Sequence, residues 1–199
     1  GPVSLHFGEH PEERQALMGF GPLCSMLQSH QEKPELRRWN SPVEWLQAVG
    51  GLRQGVYAVH CGDLNPRELQ DLALARVELV WCPGTHQYFN RPRPAFADSK
   101  VDAPLLGCDS RASNSVLDPM REVCLASSTF PEYSPTQWWE ALTSRAATSL
   151  SRTDVGALEQ GRRLRALRSK DGGATTAGDA CADLCHRGVN QRIGLMALS

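Results

Sequence analysis

The chain has 199 residues, of which 41% are apolar and 22% charged, and its net charge is −1. That is enough apolar content for one sizeable core plus a tail, and it excludes a mostly disordered chain or a bulk nucleic-acid binder. No apolar run approaches the roughly 18 residues of a membrane helix, and no signal-peptide pattern opens the sequence. Seven cysteines (24, 61, 82, 108, 124, 181, 185) are scattered through apolar strings. An odd number without framework spacing reads as reduced thiols in a cytoplasmic protein. Residue 1 is Gly, and a strand pattern begins at Val3. This start reads as a protease scar or as a piece of a longer chain.

Residues 3–7 are apolar and β-branched enough for a first strand. Pro11-Glu12-Glu13 then starts a helix, with Pro in the first turn and acids at the positive end of the dipole. Gly19 and Gly21 interrupt it, residues 22–28 form a further helical piece, and 31–40 read as a polar loop. Ser41-Pro42-Val43-Glu44 is a capping box that opens a helix to Val49, stopped by Gly50-Gly51. Val56-Tyr57-Ala58-Val59 is the second strand, ending at His60-Cys61. Asn65-Pro66-Arg67-Glu68 repeats the capping device for a helix to about Ala75. Residues 77–82 give a third strand ended by Pro83-Gly84, and 104–108 a fourth. Helices follow over 117–127 and from Ser134-Pro135-Thr136-Gln137 through Trp138, Trp139, Leu142 and Ala146. Trp138-Trp139 reads as helix packing rather than binding. Strands alternating with helices mean βαβ units and a parallel α/β sheet.

From Arg162 on, seven positive charges face three negative ones, so the tail carries +4 against a body of −5. Residues 171–178 show no core pattern, and poor order is expected there. Cys181-x-x-x-Cys185-His186 offers three soft ligands without a fourth nearby, which is weak support for a structural zinc site.

Polar residues suited to chemistry fall just past strand ends: His6 and Glu9 after the first, His60 after the second, Asp109 after the fourth. Parallel α/β folds build their sites there. Taken singly, each has a bland reading. A lone His is more often structural, Asp109 can cap a helix, and Glu9 can be a first-turn acid. Together, His and two carboxylates are the chemistry of metal-assisted hydrolysis. A carboxylate off the metal moves protons to a leaving amine.

Several elements resemble the amidohydrolase superfamily, in its deaminase and chlorohydrolase-like branch. Leu5-His6-Phe7-Gly8-Glu9 resembles the His-x-x-Glu element after strand five, and Ala58-Val59-His60-Cys61 the "AHC" element after strand six. Val80-Trp81-Cys82-Pro83-Gly84-Thr85-His86 is similar to the element after strand seven. Leu106-Gly107-Cys108-Asp109-Ser110-Arg111-Ala112-Ser113-Asn114 is similar to "LGTDSxASN" after strand eight, with Cys108 for Thr. Residues 154–161 resemble the turn leading back to a small β-sandwich. The branch includes guanine, S-adenosylhomocysteine and aminodeoxyfutalosine deaminases.

The resemblance implies a parallel (β/α)8 TIM barrel, of which this chain carries strands five to eight. Residues 1–150 form the second half of the hydrolase barrel, 151–163 the start of the return to the sandwich, and 164–199 an irregular basic tail. His6 and Asp109 are implied as metal ligands, with zinc as the expected metal and iron as the other candidate. Asp109 also takes a proton from the attacking water. Glu9 protonates the substrate's ring nitrogen and helps ammonia leave. His60 hydrogen-bonds the water or the oxygen forming on the substrate. Ser113, Thr85 and His86 are implied as substrate contacts, with Tyr88 beside them as a packing residue.

The expected activity is deamination of a purine-like ring or nucleoside, a small amine-bearing heterocycle. Expected partners are the missing N-terminal half of the barrel and a second copy in a homo-oligomer, with no nucleic acid and no membrane. Two departures stand against this. No His-x-His motif occurs anywhere in the chain, and Arg162-Arg163-Leu164-Arg165 does not continue as the expected sandwich strand. A truncated, catalytically inactive fragment is therefore the alternative reading.

Overall fold

The structure is a computed structural model that describes residues 1–30, 38–157, 159, 160, 162, 163 and 181. The chain divides into two compact units. One comprises Gly1–Val80 with Pro92–Asp102, and the other Trp81–Arg91 with the residues from Ala103 on.

In the first unit the order is β1 (Val3–Phe7), α1 (Pro11–Leu17), α2 (Gly21–Ser29), α3 (Pro42–Ala48), β2 (Val56–His60), α4 (Pro66–Leu74) and β3 (Glu78–Trp81), whose last residue enters the second unit. β1 pairs β2 and β2 pairs β3, both parallel, with Leu5 opposite Ala58 and Ala58 opposite Leu79. Helices intervene between strands because parallel pairing needs a crossover. Both predicted N-caps form, but at Ser41 only half of the box closes, because Glu44 Oε2 takes the Asn40 N–H instead. Ser41 Oγ accepts from the Glu44 N–H, and Asn65 and Glu68 close a reciprocal capping box. Phe7, Leu46, Val56, Ala58, Leu69 and Leu72 are buried and make the core of this unit.

The second unit contains α5 (Pro83–Tyr88), β4 (Leu105–Leu106), α6 (Pro119–Thr129), α7 (Pro135–Leu142) and α8 (Ser144–Ser149). The Gly107 N–H donates to the Trp81 carbonyl at 2.9 Å, which sets β4 beside the end of β3. Trp138 is fully buried against Phe130 and Tyr133, with ring centroids 6.4 and 5.3 Å away. This is the packing role expected of it.

Three boundaries differ from the sequence reading. Pro83 does not end a strand into a loop; it occupies the first turn of α5, where its missing N–H costs nothing. The last long helix is two helices. The Thr143 hydroxyl donates to the Trp139 carbonyl at 2.6 Å, and the backbone turns there to φ −117°, ψ −90°. A Thr bonded back to the preceding turn competes with the helix ladder. The fourth strand is shorter than expected, two residues against five. The irregular tail from 164, apart from Cys181, and the Cys185 and His186 pair lie outside the described residues. Among the described residues, none of the six cysteines is joined in a disulfide. No helix among the described residues is long and apolar enough to cross a membrane.

Candidate active site

Two groups of predicted residues assemble, one in each unit. In the first unit the ligand atoms of His6, Glu9 and His60 all lie within 4.8 Å of one another, and among the described residues this is the group of three that can converge on a metal ion. His60 Nε2 stands 3.8 Å from Glu9 Oε2, and the two imidazole centroids are 4.9 Å apart, edge to face. His60 is buried, Glu9 half-buried and His6 exposed.

Backbone geometry makes this convergence. The β1–β2 register pairs Phe7 with His60 and His6 with Val59. Paired residues of a parallel ladder share a face, so plain alternation aims His60 away from His6. Left-handed φ values at His60 (79°) and Cys61 (53°) interrupt the strand and re-aim the imidazole. Non-glycine residues rarely adopt this region, and they persist in it only where surrounding structure holds them. That structure is visible. Cys61 N–H donates to the Phe7 carbonyl at 3.0 Å, and Asp63 N–H to the Gly8 carbonyl at 2.8 Å.

Glu9 is held from the other side. Glu13 Oε1 accepts both the Glu9 and the His10 backbone N–H at 3.1 Å, closing the capping box of α1. Burial pushes the Glu13 carboxyl up, against the lowering effect of those N–H groups. Gly8 has φ +57°, and a Cβ there would lie 2.7 Å from the buried Leu64 Cδ2. Gly8→Ala is expected to cost about 1–2 kcal/mol in backbone conformation alone. At about 2–4 °C per kcal/mol for a chain of this size, calorimetry should show a drop of several degrees. A melting temperature unchanged within about 1 °C would contradict this origin of the turn.

In the second unit, Asp109 lies three residues past β4 and has φ +56°. Thr85 Oγ1 and Ser113 Oγ both donate to Asp109 Oδ2 at 2.9 Å, and the two hydroxyls are 3.0 Å apart. Thr85 and Ser113 are buried and Asp109 is exposed. His86 packs edge to face on Trp81 at 5.7 Å. Tyr88 is 62% exposed and meets Phe89 edge to face.

The sequence reading passed over the polar residues behind these groups. Glu122 on α6 is fully buried. Its Oε2 accepts the Gly84 N–H at 2.7 Å and its Oε1 the Asn114 amide at 2.8 Å. Desolvation pushes the Glu122 carboxyl above its ordinary value. Arg14, Asp63 and Glu68 form a further network in the first unit. Nothing in helical periodicity marks either as structural rather than solvent-facing.

No protein-family model matches the chain. Solved structures share its fold. An adenosine deaminase from Xanthomonas campestris with bound zinc superposes with a TM-score of 0.62 at 24% identity, over 81% of this chain and 35% of that one. Guanine deaminase of E. coli gives 0.68 at 14% identity, over 94% and 44%. Parallel pairing with intervening helices and this likeness define the class: an α/β fold consistent with part of a TIM barrel. Among curated relatives, aminodeoxyfutalosine deaminase of Deinococcus radiodurans is 29% identical over 150 residues, 67% of this chain and 35% of that protein. A 5'-deoxyadenosine deaminase of Methanopyrus kandleri is 30% identical over 146 residues, 67% and 34%. The chain is thus related to the deaminase branch of the amidohydrolase superfamily, and it spans about a third of the length of the curated relatives it matches.

Proposed function

We propose that this chain is the part of a metal-dependent (β/α)8 hydrolase that carries strands five to eight, and that the whole enzyme deaminates a purine-like or nucleoside substrate. The observation that carries the reading is the convergence of His6, Glu9 and His60 within 4.8 Å at the ends of β1 and β2. An imidazole together with a carboxylate suits a borderline cation, and the Xanthomonas campestris structure contains bound zinc. A zinc ion supplies a water whose pKa lies near neutrality.

In this reading His6 and Asp109 are metal ligands. Asp109 accepts a proton from the attacking water, which adds to the amine-bearing carbon. His60 donates a hydrogen bond to the oxygen forming there. Glu9 carries a proton to the ring nitrogen, the proton taken by Asp109 passes to the amine, and the C–N bond breaks with release of ammonia as the hydroxyl on that carbon gives its proton back to Glu9. Thr85 and Ser113 each spend a hydroxyl hydrogen on Asp109, so any contact they make with substrate uses the hydroxyl oxygen as acceptor. His86 is the remaining proposed substrate contact. The cell compartment in this reading is the cytoplasm.

The test is a screen for ammonia release from aminated purines and their nucleosides. It uses the chain with and without an upstream segment that supplies His-x-His. Release by the joined protein supports the reading. No release from any of them, with zinc bound, overturns it. The absence of His-x-His from all 199 residues favours the second reading, an inactive fragment. Both readings predict weak zinc binding by the chain alone, with Kd above about 1 µM, because they assign only His6 and Asp109 as ligands, against the roughly three protein ligands of a catalytic zinc site. Stoichiometric zinc held below that concentration after dialysis would show that the chain's own donors suffice.

A further inference from the structure

We propose that Glu122 is a positioning residue for Asp109, acting through a buried clip that fixes the two hydroxyls on the Asp109 carboxylate. The inference rests on the reading of Asp109 as a working carboxylate of the site.

Glu122 is fully buried on α6, with each carboxylate oxygen taking one N–H group. One comes from the backbone of Gly84, the residue before Thr85. The other comes from the side chain of Asn114, the residue after Ser113. The second hydrogen of the Asn114 amide goes to the Cys108 carbonyl at 2.9 Å, the residue before Asp109. Arg121 Nη1 donates to Asn114 Oδ1 at 2.9 Å, so the orientation of that amide is fixed by its partners. Each segment that delivers a member of the Thr85–Asp109–Ser113 group is therefore tied to one carboxylate, directly at Gly84 and through the Asn114 side chain at Cys108 and Ser113.

The fit is close. A Cβ on Gly84 would lie 2.5 Å from Asn114 Nδ2 and 2.7 Å from Glu122 Oε1. Only a carboxylate can accept from both donors, because an amide places its own NH2 against one of them. Asp109 itself is in the left-handed region at φ +56°, a conformation that persists only when its surroundings over-determine it. Partners behind a metal-ligating carboxylate usually matter about 10- to 100-fold in metal affinity.

The test uses Glu122→Gln, which keeps the side-chain volume and opens the clip. A crystal structure of the variant is expected to show at least one of Thr85 Oγ1 and Ser113 Oγ moved out of hydrogen-bond distance of Asp109 Oδ2. Both hydroxyls in place would overturn the proposal. Zinc affinity is then measured by competition with a chromophoric chelator, far below the melting temperature, where a purely stabilising role leaves it unmoved. Glu122→Gln is expected to weaken zinc about 10-fold or more, in the same direction as Asp109→Asn. Wild-type affinity in Glu122→Gln alongside a weakened Asp109→Asn overturns the proposal. If Asp109→Asn binds zinc normally while the hydroxyls of Glu122→Gln are displaced, the clip stands and the assignment of Asp109 as a ligand falls. Should Glu122→Gln fail to fold, Gly84→Ala opens the same clip from its other side and is read by the same two measurements.

Discussion

Glu9→Gln, in the enzyme completed by its upstream segment, is expected to abolish turnover and leave the zinc content unchanged. The amide keeps the shape of the side chain but cannot carry a proton between water and a ring nitrogen. Loss of such general acid–base help costs about 10² to 10⁴ in rate. The geometry allows the role: the carboxylate is half-buried, 3.8 Å from His60 Nε2, and its backbone is fixed by Glu13. The same geometry sets up the competing outcome, because Glu9 also lies within ligand distance of the two imidazoles. Measuring kcat and zinc per chain together separates the two. A variant with more than about a tenth of the wild-type kcat is not missing its proton carrier. A variant that has lost zinc as well as activity identifies Glu9 as a ligand.

The second large effect concerns stability. The Arg14 guanidinium on α1 makes four hydrogen bonds of 2.7–2.8 Å, to the Asp63 carboxylate and carbonyl and to both oxygens of Glu68. Glu68 is nearly buried and also caps α4 through the Asn65 N–H. Its partners hold Arg14 firmly in the charged form. Arg14→Met keeps the aliphatic stem and strands the Glu68 charge. Removing one partner of a fully buried pair costs about 3–5 kcal/mol, an upper bound here because the Arg14 side chain is 25% exposed. Thermal melting should fall by several degrees, up to about 20 °C. Lys in the same place can reach one carboxylate but not grip both oxygens of Glu68, so Arg14→Lys should fall in between. A drop under about 2 °C for Arg14→Met would mean that the network contributes little net energy.

Much of this fold is written in short-range chemistry. Ser41, Asn65 and Ser134 cap their helices as their neighbours three residues on suggest, each with Pro at the first helical position. The strands are legible because apolar runs are bounded by Gly, Pro and capping residues. Pro83 is ambiguous by its nature, since the property that ends a strand also suits the first turn of a helix. His10 hides as a cap because an imidazole nitrogen seldom plays that part, yet its Nδ1 accepts the Glu12 N–H. The candidate site was legible as residue types at strand ends. What holds those residues was not. Glu122, Arg14 and Glu13 are acids and a base on helices, and their burial follows from tertiary packing that no local pattern encodes.

The left-handed backbone at His60, Cys61 and Asp109 also bears on how a mutational scan of this protein will read. Loss of function after most substitutions there would mix two causes, missing chemistry and a main chain that the new residue resists. β-Branched side chains resist it most, and Asn tolerates it better than most residues other than Gly. Asn at 60 and 109 is therefore the informative replacement: it keeps the chain path and removes the imidazole or the charge. In a full scan, Asn and Gly should stand apart from Val, Ile and Thr in abundance but not in activity. The gap between those two readouts at these positions measures how much of each residue's value is its shape and how much is its reactivity.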